Sequence, residues 1–236
     1  MKKQHSFLKS LIFHLYPGVL ITAFYLVTAP GVMKMGYPSQ FALMLALAFV
    51  ALPVMLAQMF LSGKKRYGTY RLEKVIKYEN TLHPRNLILL TLGLVIWSLL
   101  IWFLTIPLQE LIWERLFSWL PVWYIGGDIS AYESKVFYTS IAFIILMNGF
   151  LAPITEELFF RGYLLSRMKK MGKAAPYLHA FFFSIYHLWQ PHLVLTIFLA
   201  FLPLSIMIWR TNDLRLAVYS HCLLNLTGAV LLFTAV

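Results

Sequence analysis

Long runs of apolar residues separated by short polar connectors decide most of what this chain can become. A helix needs about 20 predominantly apolar residues to cross the ~30 Å hydrocarbon core of a bilayer. Seven stretches approach or exceed that length: residues 11–28, 41–62, 87–108, 136–155, 174–189, 193–209 and 216–236. The expected fold is therefore all-α, a polytopic membrane helix bundle of about seven transmembrane helices, within a range of six to eight. Charge agrees with this. Only 12% of the 236 residues are charged, against about 25% in a soluble domain.

The formal net charge of +11 would ordinarily raise the question of a nucleic-acid partner. Its placement argues otherwise, because the basic residues sit in connectors beside the apolar runs and there report orientation. Counted on alternate sides, one side collects Lys2, Lys3 and Lys9, and the seven Lys and Arg from Lys64 to Arg85. It also takes Arg161, Arg167, Lys169, Lys170, Lys173, Arg210 and Arg215. The other side holds only Lys34, Arg115 and Lys135. Seventeen against three predicts a cytoplasmic N-terminus, an external C-terminus and an odd number of spans. The expected location is a bacterial plasma membrane, with the lipid bilayer as the main partner and no nucleic acid.

The N-terminus has some features of a cleaved signal. Lys2 and Lys3 supply positive charge, and Val27-Thr28-Ala29 resembles a cleavage site. Lys9, His14 and Pro17 interrupt the segment, however, and the apolar run is longer than a signal core, so a retained first span is expected. The single cysteine, Cys222, excludes an intrachain disulfide. Residues 109–135 interleave Trp113, Trp119, Trp123 and Tyr124 with Glu110, Glu114 and Arg115, a pattern that suits an aromatic belt at the interface. The fourth run continues as far as Met168, ~50 Å as one helix. Gly149 and Pro153 predict a bend or break within it.

Just beyond that point stand Glu156, Glu157 and Arg161, in the stretch Ala152-Pro153-Ile154-Thr155-Glu156-Glu157-Leu158-Phe159-Phe160-Arg161-Gly162. Each ionisable residue costs roughly 2.5–3.5 kcal/mol at the centre of a membrane helix, so such residues are usually paired and functional. Glu157 and Arg161 are four apart with the acid first, the favourable order for an ion pair. Glu156 points ~100° away, which frees its carboxylate for general acid–base work. Two later runs carry Phe183 with His187, and His221 with Asn225, each pair four residues apart. Along straight helices Glu156, His187 and His221 lie ~16, ~21 and ~9 Å from the basic edge, depths that tilted helices can bring together.

EExxxR, FxxxH and HxxxN, in that order on successive spans, resemble the signature of the CAAX-protease and bacteriocin-processing family (CPBP, or Abi) of intramembrane proteases. The resemblance covers roughly residues 137–230. It divides the chain into N-terminal helices with an interfacial loop over 1–135 and a catalytic core over 136–236. It implies that Glu156 and His187 activate a water, and that His221 and Asn225 donate hydrogen bonds to the oxyanion. Glu157 and Arg161 are then structural or steer substrate. The family is often described as metalloproteases, although a metal-free glutamate mechanism has also been argued for it. Glu156, His187 and His221 could in principle ligate a divalent metal such as zinc, so the cofactor is left open between none and such an ion. The implied partner is a hydrophobic or membrane-anchored peptide or protein, in a bacterium a leader peptide or signal remnant.

One departure stands in the span between the two histidine motifs. Family members tend to carry glycines there, whereas Phe198–Trp209 has none and Pro203 and Ser205 occupy the region. The alternative reading is a non-catalytic scaffold, immunity or regulatory protein of the same family, since fold alone does not fix function. A proton or ion carrier is a third, against which stands the lack of an internal repeat.

Overall fold

The computed structural model describes residues 4–76, 79–126 and 129–234. Lys2, Lys3, Lys77 and the last two residues of the seventh apolar run lie outside them. Among the described residues the regular structure is helical, with no strand. Five helices are long and apolar enough to cross a membrane: α1 (Phe7–Lys34), α2 (Ser39–Tyr67), α3 (Pro84–Leu104), α5 (Ser134–Arg167) and the stretch Pro191–Thr211 that contains α7 (Val194–Thr211). The short α4 (Ile106–Ile112) follows α3. The other two apolar runs form α6 (Ala175–Tyr186) and α8 (Leu214–Thr234). By this measure five described helices reach crossing length, where the sequence suggested seven.

Helix α6 is the clear shortfall. Its 12 residues rise about 18 Å at 1.5 Å each, well short of the ~30 Å core. Pro176 occupies its first turn, and the chain leaves the helix at His187 (φ −77°, ψ 53°). The predicted run to residue 189 therefore ends three residues early. His187 caps the helix instead of lying within it.

Local chemistry sets the other ends. Ser6 caps α1, accepting from the Lys9 backbone N–H at 3.3 Å, and Pro84 opens α3, where a missing N–H does no harm. Helix α2 stops at Gly68 (φ 69°) after Lys64, Lys65 and Arg66 in its last turn, cations that suit the negative end of the helix dipole.

The break expected near Gly149 and Pro153 does not occur. Helix α5 runs unbroken for 34 residues, and the irregularity takes the form of two π turns. Ile145–Leu151 and Leu158–Leu164 are wound as π-helix, and between them lies a single α stretch, Ala152–Glu157. Such turns accommodate an extra residue without a break and often lie at functional sites.

The connection over 106–131 also differs from a simple belt. Trp119 and Val122 are both 77% exposed, as a lipid-facing aromatic segment requires. Tyr124, by contrast, is buried and donates from its hydroxyl to the Leu188 carbonyl at 2.8 Å. Tyr25 on α1 and Ser39 on α2 both donate to the Trp123 carbonyl, at 2.9 and 2.8 Å. This segment is thus tied to the loop that follows His187.

At the opposite ends of α3 and α7, Asp213 clamps two connections together. It accepts from the Leu82 N–H at 2.9 Å and from Arg215 at 2.6 Å, while Arg215 also donates to the Leu82 carbonyl at 2.9 Å. Burial alone would raise the Asp213 carboxyl, but Arg215 and the backbone N–H groups outweigh it and hold the carboxyl below its usual range.

Candidate active site

The centre of the bundle is built on the α stretch between the two π turns. Glu156 and Glu157 are adjacent and both buried, at 5% and 0% exposure, yet they face different partners, as neighbours on a helix must. Arg161 donates from Nη1 to Glu157 Oε1 at 2.9 Å, with both side chains fully buried. The same oxygen lies 2.8 Å from His221 Nδ1. A carboxylate only accepts, so Nδ1–H is the donor and His221 turns Nε2 to the other side.

Phe183 is the hub around which these groups stack. The Arg161 guanidinium lies over the Phe183 ring at 3.8 Å, with the Phe201 ring 5.4 Å away. Aromatic faces attract a cation, more strongly when both are desolvated. Phe183 also meets the His187 ring edge-on at 4.8 Å and the His221 ring at 6.2 Å. The phenylalanine of FxxxH thus stacks on the arginine of EExxxR and lies beside both motif histidines. Gly162, next to Arg161, is closely packed: a Cβ there would meet Ile76 Cβ and Leu214 Cδ2 at 3.2 Å, so those side chains would have to shift slightly.

His187 is presented by the unwound end of α6. The Leu188 N–H donates to the Tyr186 carbonyl at 2.8 Å, which makes His187 the central residue of an inverse γ-turn. Its Nδ1–H donates to the Phe183 carbonyl at 2.9 Å, one of the carbonyls that a helix end leaves unpaired. A carbonyl cannot donate, so this bond fixes the neutral tautomer with the lone pair on Nε2. The neighbouring Tyr186 donates from its hydroxyl to Glu156 Oε1 at 3.2 Å.

Asn225 lies one helical turn beyond His221 on α8. Its Nδ2 donates to the Asn148 carbonyl at 2.8 Å, within the first π turn of α5. Two contacts differ from the sequence expectation. Glu157 is bonded to His221 as well as to Arg161, so it belongs to the histidine cluster instead of standing apart as a separate ion pair. His221 correspondingly directs one nitrogen to this carboxylate. Ser205, at the departure from the glycine pattern, is fully buried and hydrogen-bonds His179 Nδ1 at 3.1 Å, and it is there that α6 and α7 pack closely.

Among the described residues no three His, Cys, Asp or Glu side chains are grouped so as to hold one ion together. His179 is occupied by Ser205 and the Phe160 carbonyl, and His192 packs against Trp113.

A cavity of about 420 Å³ runs from Arg161 past Leu165 and Ser166 to Lys169, with Ile208, Trp209 and Asn212 forming its other wall. Arg161 Nε and Nη2 and Glu157 Oε2 are buried without a hydrogen-bond partner among the described residues. Buried polar groups of this kind are rare and call for an explanation.

Sequence reasoning missed Tyr186, Asn148, Phe201 and Tyr124. Tyr186 adjoins a motif histidine and Asn148 is an isolated amide in an apolar run, so each left a faint mark. Tyr124 was read only as part of the interfacial belt, and Phe201 left no mark, because an aromatic residue in a membrane protein is ordinary.

These features define the class: an integral membrane protein of helices enclosing a buried cluster of glutamate, histidine and arginine. Comparison with known families then places it further. The family model described as type II CAAX prenyl endopeptidase Rce1-like matches residues 138–227, a stretch that includes all seven motif residues. Over that segment the chain is similar to the CAAX-protease and bacteriocin-processing family. No curated protein and no solved structure matches the chain.

Proposed function

We propose that this protein is an intramembrane endopeptidase that hydrolyses a hydrophobic or membrane-anchored peptide by a glutamate-activated water. The observation that carries the reading is the buried cluster itself. Glu157, Arg161 and His221, from two different motifs, share one carboxylate oxygen at 2.8–2.9 Å, with Phe183 of the third motif stacked on the arginine. A scaffold gains nothing from burying these charges, whereas a hydrolase needs them.

In this reading Glu156 takes a proton from water while His187 Nε2 accepts that water's other hydrogen. The oxygen adds to the peptide carbonyl carbon and the carbonyl oxygen becomes an oxyanion. Protonated His221, its Nδ1–H held by Glu157, turns Nε2–H toward that oxyanion. Asn225 supports it once its Nδ2 exchanges the 3.5 Å contact to Asn148 Oδ1 for the oxyanion, and such donors are each worth about 2.7–4 kcal/mol in comparable sites. Glu156 then returns its proton to the amine nitrogen as the C–N bond breaks, leaving an acid and an amine.

Residues 136–236 form the catalytic core in this proposal, and residues 1–135 the helices that enclose it. Helices α6 and α8 complete a bundle of seven. The charge bias places the N-terminus in the cytoplasm, so the cavity reaching Arg161 opens on that side and admits water and peptide. The test is a comparison of peptides released in membranes carrying wild type or Glu156→Gln. Cleavage that disappears with Glu156→Gln, at unchanged protein level, supports the proposal; identical peptide profiles would sink it.

A further inference from the structure

We infer that Tyr186 is a positioning residue for Glu156, and that the first helix fixes it there through a backbone contact at Gly18. The inference rests on the role proposed for Glu156 and adds to it a residue and a helix outside the matched segment.

Tyr186 is fully buried. Its ring is wedged against Phe160 at 4.7 Å and Trp189 at 5.1 Å, surroundings that a phenylalanine would fill as well. A hydroxyl in such a place is unfavourable unless it is bonded, and here it donates to Glu156 Oε1 at 3.2 Å. What the hydroxyl adds over a bare ring is therefore a hold on one carboxylate oxygen. With Oε1 held, the carboxylate keeps one rotamer and presents Oε2.

The height of Tyr186 is set from behind by α1. Tyr186 is the last residue of α6, where the chain has already begun to unwind. Gly18 lies against its main chain so closely that a Cβ on Gly18 would collide with the Tyr186 carbonyl oxygen and come within 3.0 Å of the ring carbon Cδ2. Backbone cannot move aside as the end of a flexible side chain can. Helix α1 also places fully buried His14 edge-on to His179 at 5.2 Å and beside Phe182 at 5.4 Å, so it packs along α6 and holds its end in register. An added methyl at Gly18 must push α6 away, and the hydroxyl of Tyr186 with it. A displacement of about 1 Å at a reacting group can cost on the order of 100-fold in rate.

The experiment uses the full chain in liposomes. Its probe is a synthetic quenched-fluorescent peptide spanning a cut that depends on Glu156 in the membrane comparison above. Tyr186→Phe should lower kcat about tenfold and leave KM within about twofold. Gly18→Ala should lower kcat at least as much. The double variant should be no worse than Gly18→Ala alone, because both changes release the same hydroxyl. Gly31→Ala, on the same helix with nothing within 4 Å of its added Cβ, should match wild type. Wild-type kcat in Tyr186→Phe would overturn the inference, and that variant keeps the test decisive even where Gly18→Ala fails to accumulate. Losses that multiply in the double variant would overturn the link from Gly18 to Tyr186. Full cleavage by Glu156→Gln would instead overturn the proposed function, and the inference with it.

Discussion

Replacing Arg161 with methionine removes a cation that is fully buried and leaves its carboxylate partner behind. Methionine approximates the length of the arginine stem, so packing against Phe183 is largely kept and the loss is mainly electrostatic. Breaking a buried pair by deleting one partner costs about 3–5 kcal/mol, because the remaining charge is stranded. Two local features move the value within that range. His221 Nδ1 stays 2.8 Å from Glu157 Oε1 and partly compensates the carboxylate, while the stacking of the guanidinium on Phe183 at 3.8 Å is lost, about 0.5–2 kcal/mol more. We expect about 4 kcal/mol of lost stability, nearly a thousandfold in the folded-to-unfolded ratio. The assay is equilibrium unfolding in mixed micelles, read alongside abundance in membranes. Adding Glu157→Gln to Arg161→Met should recover about half of the loss, since the stranded charge is then gone. A single variant within about 1 kcal/mol of wild type, or a double variant less stable than the single, would refute the reasoning.

The remaining predictions concern other parts of the molecule. Asp213→Asn should cost about 1–3 kcal/mol at neutral pH, seen as faster proteolysis between α2 and α3. Because the native carboxyl is held below its usual range, its contribution is complete above the normal carboxylate range of about 4. That contribution is lost as the pH falls through the depressed value, so wild type and variant should converge in unfolding midpoint in acid. Asn148→Ala removes the side-chain oxygen 3.5 Å from Asn225 Nδ2 and keeps the backbone carbonyl that holds it at 2.8 Å, so cleavage should slow about threefold at unchanged KM, less than in Asn225→Ala. A reporter fused after Lys170 should be cytoplasmic in a fusion assay, and an external signal would reverse the proposed orientation.

Much of this arrangement was legible in the sequence. Apolar run length gave an all-helical membrane protein, and charges inside those runs marked the residues that cluster. The spacing of Glu157 and Arg161 foretold their contact, because a four-residue offset faces one side of a helix whatever surrounds it. Less visible was anything decided between helices. That His221 bonds Glu157, and that Tyr186 reaches Glu156 from α6, depend on how α5, α6 and α8 pack. The end of α6 was misjudged for a related reason: apolar composition continues to Trp189, whereas the turn at His187 is packed by other elements, Gly18 of α1 against Tyr186 and Tyr124 on the Leu188 carbonyl. The π turns of α5 also escaped notice, since Gly149 and Pro153 signal irregularity without naming its form.

Those π turns bear on how this site can change over time. Each holds one residue more than an α-helix would use over the same length, so each is a place where a residue can be gained or lost without unfolding the helix. A deletion at Leu158 or Phe159 would restore regular winding but rotate everything beyond it, shifting Arg161 relative to Glu157 and the Phe160 carbonyl relative to His179. A compensating insertion further along would rescue the basic end of the helix but not the cluster. Substitutions can therefore drift through this stretch one at a time, whereas its length is locked. Relatives that keep the chemistry should keep the residue count between Glu156 and Arg161 even where little else in the stretch agrees.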